Sequence, residues 1–212
     1  MWLAVVSQPF DAGADVPCLV ELNKEEGEFW VPSPWAFAES GQNLSAYERN
    51  GVFLNLGNLD FFDISFISGA DSDGDGRSVV AWDITGDGMP ELFVRQAGGG
   101  PLRIYRNGFP RSNWIRLSLQ GTKSNRFGIG AKISCRIGNR WIRREVYPIV
   151  NFLSQRPSDV HLGLGQAKQI DELIVQWPSG KKSHFERPAI NQHLNIVEGE
   201  LKPRKFKVGL SR

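Results

Sequence analysis

Three runs of alternating hydrophobicity constrain this chain more than any other feature. In NWIRLSLQG (113–121), Ile115, Leu117 and Leu119 fall on one face; in AKISCRIG (131–138), Ile133, Cys135 and Ile137 do; in ELIVQWPSG (172–180), Leu173, Val175 and Trp177 do. A period of two belongs to a half-buried β-strand, whose side chains point alternately to opposite faces. Each run closes on a turn signal: Gly121, Gly138-Asn139, and Pro178-Ser179-Gly180. With KSHFE and HLNIV added, five or more strands at roughly ten-residue spacing predict a β-sandwich or barrel over 113–199.

Upstream, GVFLNLGNLDFFDISF (51–66) alternates around Gly57, as two short strands with a turn would. An acidic loop, SGADSDGDGR, then SVVAW, a second acidic loop, DITGDGMPE (83–91), and ELFVRQ follow. Seven Trp, 13 Phe and 23 Gly beside two Met fit strands joined by Gly-rich turns better than a helical bundle. A faint echo links FLNLG to YRNG, in the way that propeller blades repeat, although a closed propeller needs at least four blades of ~40–50 residues. The expected fold class is all-β: a partial propeller-like region over 51–112, ahead of the sandwich or barrel. Residues 1–50, with Pro9, Pro17, Pro32 and Pro34, read as irregular, and 200–212 as a basic, mobile tail.

Charge is divided unevenly along the chain. Residues 1–100 hold 4 Lys+Arg against 16 Asp+Glu, and the remainder holds 21 against 7. Two regions with different tasks, or two halves that attract each other across an internal interface, account for this equally. The basic half includes Arg140, Arg143, Arg144, Lys181, Lys182, Lys202, Arg204, Lys205 and Lys207, with Trp141 and Trp177 among them. That set can hold a polyanion or glycan, but no nucleic-acid motif accompanies it, so nucleic acid is not the expected partner. The opening MWLAVVSQPF has too short an apolar run for a signal peptide or membrane span. Cys18 and Cys135 can form one disulfide, and they match no zinc pattern.

The loop DITGDGMPE offers oxygen ligands at alternate positions: Asp83, Thr85, Asp87, the carbonyl of Met89, and Glu91. Calcium requires six to eight such oxygens on a sharply bent segment, with a Gly at the bend, here Gly88. An EF-hand is excluded because its twelfth position, a bidentate Glu, is Val94. Asp71, Asp73 and Asp75 repeat the alternation as a secondary site, with Val79 where the closing carboxylate would stand. Ca2+ is the expected cofactor, against the plainer reading of a tight Asp/Gly turn.

These residues carry two resemblances. SVVAWDITGDGMPELFV resembles the FG-GAP/VCBS repeat, a strand, calcium loop and strand from a propeller blade; Asp83, Asp87, Gly88 and Leu92 fit its pattern, while Thr85 and Glu91 depart from it. GTKSNRFGIGAKI, REV, FLSQ, HLGLG, IDELIVQWPSGK and NQHLNIVEG (121–199) resemble the ASPIC/UnbV domain, in that domain's order, with Phe127 and PIVNF as departures. The resemblance implies a noncatalytic, calcium-supported binding or adhesion module of exported type, extracellular or periplasmic, with a protein or glycan ligand. It further implies a fragment or degenerate member whose propeller is mostly missing. An enzyme or accessory factor in secondary metabolism is the competing class, and would need polar groups converging around Arg126, Ser154, Gln155 and His161.

No catalytic residue is assigned. Ser154, Asp159 and His161 lie close in sequence but lack the setting that a triad requires, and capping is their expected task. His184 and His193 read as surface residues on strands. Gly128, Gly130, Gly163 and Gly165 form G-x-G twice without the rest of a dinucleotide fingerprint, and so mark turns or close backbone approach.

Overall fold

A computed structural model describes residues 2–3, 49–72, 76–96, 101–151 and 154–206. The described chain is all-β apart from one four-residue helix. In chain order the elements are β1 (Trp2–Leu3), β2 (Gly51–Gly57), β3 (Asp60–Asp63), α1 (Ser65–Ser68), β4 (Gly76–Trp82), β5 (Glu91–Gln96), β6 (Arg103–Tyr105) and β7 (Asn113–Gln120). They continue with β8 (Lys132–Ile137), β9 (Arg140–Glu145), β10 (Ile149–Asn151), β11 (Ser154–Gln155), β12 (Val160–Gly165), β13 (Glu172–Gln176), β14 (Lys182–Glu186), β15 (His193–Val197) and β16 (Arg204–Lys205).

The chain divides into two compact units, Met1–Val79 with Val94–Arg103, and Val80–Phe93 with Ile104–Arg212. The division passes through β4, β5 and β6, which form one sheet in that order. The second acidic loop therefore belongs to the same unit as everything from β7 onward.

In the first unit, β2 and β3 form the hairpin that the alternation around Gly57 predicts, and β1 pairs with β2. After β3 the chain turns into α1 where a strand end is expected. The Ser65 hydroxyl accepts the Val52 N–H (2.8 Å) and the Ile64 N–H donates to the Val52 carbonyl (2.9 Å), which ties the turn to β2.

The second unit holds two four-stranded sheets, ordered β12-β7-β15-β16 and β14-β13-β8-β9. Each alternating run lies on the strand it predicts, and its apolar face is buried, Ile137 in part. Ile115, Leu117 and Leu119 of β7 join Leu162 and Leu164 of β12 and Leu194 and Ile196 of β15 in one cluster with Ile133, Cys135, Leu173, Val175 and Phe185 of the other sheet. Two faces sharing one core make a sandwich, and the described strands close no barrel. β7 and β15 run parallel, and every other pairing in these two sheets is antiparallel.

Three expectations change here. Trp177 is 2% exposed, with its Nε1 donating to Ser183 Oγ (2.9 Å), so it is a core residue unable to face a polyanion. Arg204–Lys205 pair with β15, which places this stretch of the basic tail on the sheet. Cys135 is a free, buried thiol, and Cys18 lies outside the described residues.

Candidate functional site

The outward face of the β12-β7-β15-β16 sheet follows from the same alternation that fills the core. Opposite Ile115, Leu117 and Leu119, β7 turns Trp114, Arg116, Ser118 and Gln120 outward. The register sets His161 and His193 on either side of Arg116, and Asn195 beside Ser118. The sequence therefore makes this a polar face, and two separate constructions cover it.

The first is the loop 83–91. The Arg116 guanidinium lies 3.9 Å over the Trp82 ring, and its Nη2 donates to the Asp83 carbonyl (3.1 Å). Trp114 stacks on His161, with ring centroids 5.7 Å apart. Burial pushes the His161 imidazole below its ordinary pKa; Asp83 opposes that, and Arg116 and Arg156 reinforce it.

Within the loop the carboxylates serve the backbone. Asp83, 3% exposed, accepts the N–H groups of Gly86 (2.7 Å) and Asp87 (3.2 Å) on Oδ1 and of Gly88 (2.9 Å) on Oδ2. The Thr85 hydroxyl also points to Asp83 Oδ1 (3.4 Å). Glu91 Oε2 accepts the Ile84 N–H (3.1 Å), and Asp87 Oδ1 the Met89 N–H (3.0 Å). Arg111 stands 3.7 Å from Asp87 Oδ2. Asp83 Oδ1 is thus engaged by donors within the loop, and among the described residues no three His, Cys, Asp or Glu side chains are grouped to hold a metal ion. Asp71 is bound to Arg49 (2.7 Å), while Asp73 and Asp75 lie outside the described residues.

The second construction is a cavity of about 690 Å³ over the same face. Ser118, Gln120 and Asn195 line it, with Arg126 and Phe127 from the loop after Gly121 and Arg156 from the segment after β11. Gly128 shapes the first of these loops: its φ is +62°, and a Cβ there would stand 2.8 Å from that of Leu119. Of the four residues expected to converge, only Arg126 reaches the lining. Ser154 and Gln155 lie on β11, paired with β10, and His161 sits against Trp114.

The structure instead joins Ser118, Asp159 and His193. Ser118 Oγ donates to Asp159 Oδ1 (2.6 Å) and stands 2.7 Å from His193 Nε2, which is itself 3.6 Å from Asp159 Oδ2. His193 is also stacked on Phe206 (4.0 Å), and burial lowers its pKa against the pull of Asp159. One hydroxyl carries one hydrogen: donated to the carboxylate, it leaves the neutral imidazole to donate Nε2–H to Ser118. A nucleophilic triad needs serine and acid on opposite ring nitrogens, whereas here both face the same one. The trio therefore reads as a floor brace. Its members were visible in sequence, Asp159 in the wrong trio and His193 as a surface residue. Strand alternation could have placed Ser118 outward, but nothing local reports that β15 lies beside β7.

The fold and site define an all-β sandwich protein with a polar, partly covered sheet face. Residues 121–203 match the sequence model of the family described as ASPIC and UnbV, so the chain carries an ASPIC/UnbV domain. The match begins after β7, although β7 is a buried inner strand of that domain's sheet. No curated protein matches the chain. Among the described residues no helix is long and apolar enough to cross a membrane.

Proposed function

We propose that this protein is a noncatalytic binding module whose ligand presents an anionic group to the outer sheet face of its sandwich. The observation that carries this reading is the arrival of Arg126 and Arg156 on one cavity whose floor is Ser118, Gln120 and Asn195. Guanidinium groups on a polar concave surface are suited to orienting carboxylate or sulfate groups. The brace around Ser118 supports binding over acyl transfer, because its hydroxyl hydrogen is directed to Asp159.

On the resemblance of 78–94 to an FG-GAP repeat, we read β4, the acidic loop and β5 as a blade-like element that has become part of a binding module of exported type. The in-order sheet β4-β5-β6 supports that reading. This reading does not depend on calcium, since Asp83, Asp87 and Glu91 close the loop on its own N–H groups.

The test is retention of carboxylated, sulfated and neutral glycans and peptides by the immobilised chain, beside the Arg126→Gln/Arg156→Gln double variant. Retention of anionic members that the double variant loses is expected. Equal retention of neutral members by both proteins would refute the reading.

A further inference from the structure

We propose that the cavity takes a small amphipathic carboxylate, with the carboxylate held between Arg156 and Arg126 and an apolar body lying against Phe127 and Phe206. This rests on the binding-module reading and narrows its ligand. Arg156 Nη1 donates to the Asp159 carbonyl (2.6 Å), which fixes the guanidinium at the lining; with five donors in a planar fork, it can also receive both oxygens of a carboxylate.

The charge balance favours one anionic group. Asp159, an acid on the lining, is held by the Ser118 hydroxyl (2.6 Å) and faces Arg116 Nε at 3.8 Å, from outside the lining. Arg116, Arg156 and Arg126 thus set three positive charges against this one acid, and the cavity keeps positive charge in excess.

The apolar half is as specific. Phe127, Ile129 and Phe206 are 56%, 38% and 38% exposed, yet all line the same concavity. Large apolar side chains gathered in a concave site, unlike those scattered singly on a surface, provide contact area for a ligand's apolar body. Pro148 and Pro157, with their fixed φ, also line it. A volume near 690 Å³ lies inside the range of about 300–1,000 Å³ usual for small-molecule sites. A polyanion would call for a long row of cations on an open surface, which this cavity does not supply.

Calorimetric titration of the whole chain with octanoate and 3-phenylpropionate, using 1-octanol and 3-phenylpropanol as neutral controls, tests the assignment. Single-site binding of both acids is expected, weakened about tenfold or more by Arg156→Gln, the scale of a lost charge-assisted hydrogen bond. Arg126→Gln, at an exposed position, should weaken it at least about threefold and keeps the test open if Arg156→Gln does not fold. Phe127→Ala should weaken the acids while leaving their preference over the alcohols intact. The proposal is overturned if neither acid binds at about 10 mM, if both arginine variants bind like the wild type, or if the alcohols bind as tightly as the acids. Should anionic glycans or peptides bind while these acids do not, the ligand class falls and the binding-module reading stands; if nothing anionic binds, both fall.

Discussion

Gly88 and Trp114 pack so closely that a Cβ at position 88 would stand 2.0 Å from the indole Cδ1 and Nε1. Gly88 also holds φ +85°, a left-handed conformation that side chains disfavour. Two demands thus fall on one residue: the loop turns there, and the turn is pressed against β7. This makes the acidic loop part of the sandwich unit, outside the segment that matches ASPIC/UnbV. Gly88→Ala should cost about 2–4 kcal/mol, combining overpacking with backbone strain. Urea unfolding followed by Trp fluorescence measures it, and a loss under about 0.5 kcal/mol would show that loop and indole separate in solution.

Asp83 closes the same loop from within. Its buried carboxylate is the shared acceptor of the Gly86, Asp87 and Gly88 N–H groups, so Asp83→Ala leaves three donors to find other partners. A cost of about 2–4 kcal/mol is expected, the scale for stranding buried polar groups. Because Asp83 closes the loop on its own N–H groups, wild-type melting curves in chelator and in millimolar calcium should coincide. A calcium-dependent rise in Tm that Asp87→Ala abolishes would instead establish the calcium reading of the loop.

What the sequence disclosed follows from the range of the forces involved. The alternations in 113–121, 131–138 and 172–180 locate β7, β8 and β13 and the sides that face the core, because burial on one sheet face is written residue by residue. Asp83 and Gly88 are likewise legible as turn residues. The meeting of Ser118 with His193 was not legible: it depends on parallel pairing between strands 75 positions apart, and local chemistry carries no record of that. The cavity was hidden for the same reason. Of its two arginines only Arg126 is singled out by the sequence; Arg156 is an ordinary loop arginine until the sheet brings both loops over Gln120 and Asn195. The short helix after β3 was missed because ISF is as apolar as a strand end, and the Ser65 tie to Val52 is a tertiary contact.

Cys135 belongs to the core rather than to redox chemistry. Burial pushes its thiol up to about 11, with Arg140 opposing and Asp171 adding to the shift. The thiolate needed for alkylation or disulfide exchange is therefore scarce at neutral pH. In native buffer the Cys135 thiol should react with a thiol reagent at least about a hundredfold more slowly than in denaturant, and peptide mapping would identify it. Labelling at equal rates would mean that the strand opens readily. Cys135→Ser, which places a hydroxyl in an apolar core, should cost about 1–3 kcal/mol, while Cys135→Ala should cost less.

Glu198 fastens the loop after Gly121 to the end of β15. Its Oε2 accepts the N–H groups of Thr122 (2.8 Å), Lys123 (2.7 Å) and Ser124 (2.8 Å), and its Oε1 the hydroxyls of Ser124 (3.0 Å) and Ser179 (2.5 Å). Burial alone would raise its pKa, but the donors from Ser124, Ser179, Lys123 and Thr122 outweigh burial and hold the carboxyl well below the ordinary glutamate value of 4.5. A folded-state pKa below the unfolded one adds stability above the unfolded value, and that stability is lost as pH falls toward the folded value. Glu198→Gln should therefore lower Tm at pH 7 by about 3–5 °C, the shift produced by roughly 1 kcal/mol in a domain of this size. The gap between wild type and variant should stay constant down to the ordinary value of 4.5 and narrow below it, as the unfolded wild type takes up a proton that the folded protein resists. Melting curves at pH 7, 5, 4 and 3 would show this, and a gap unchanged across the series would mean that the carboxylate is not held by these donors in solution.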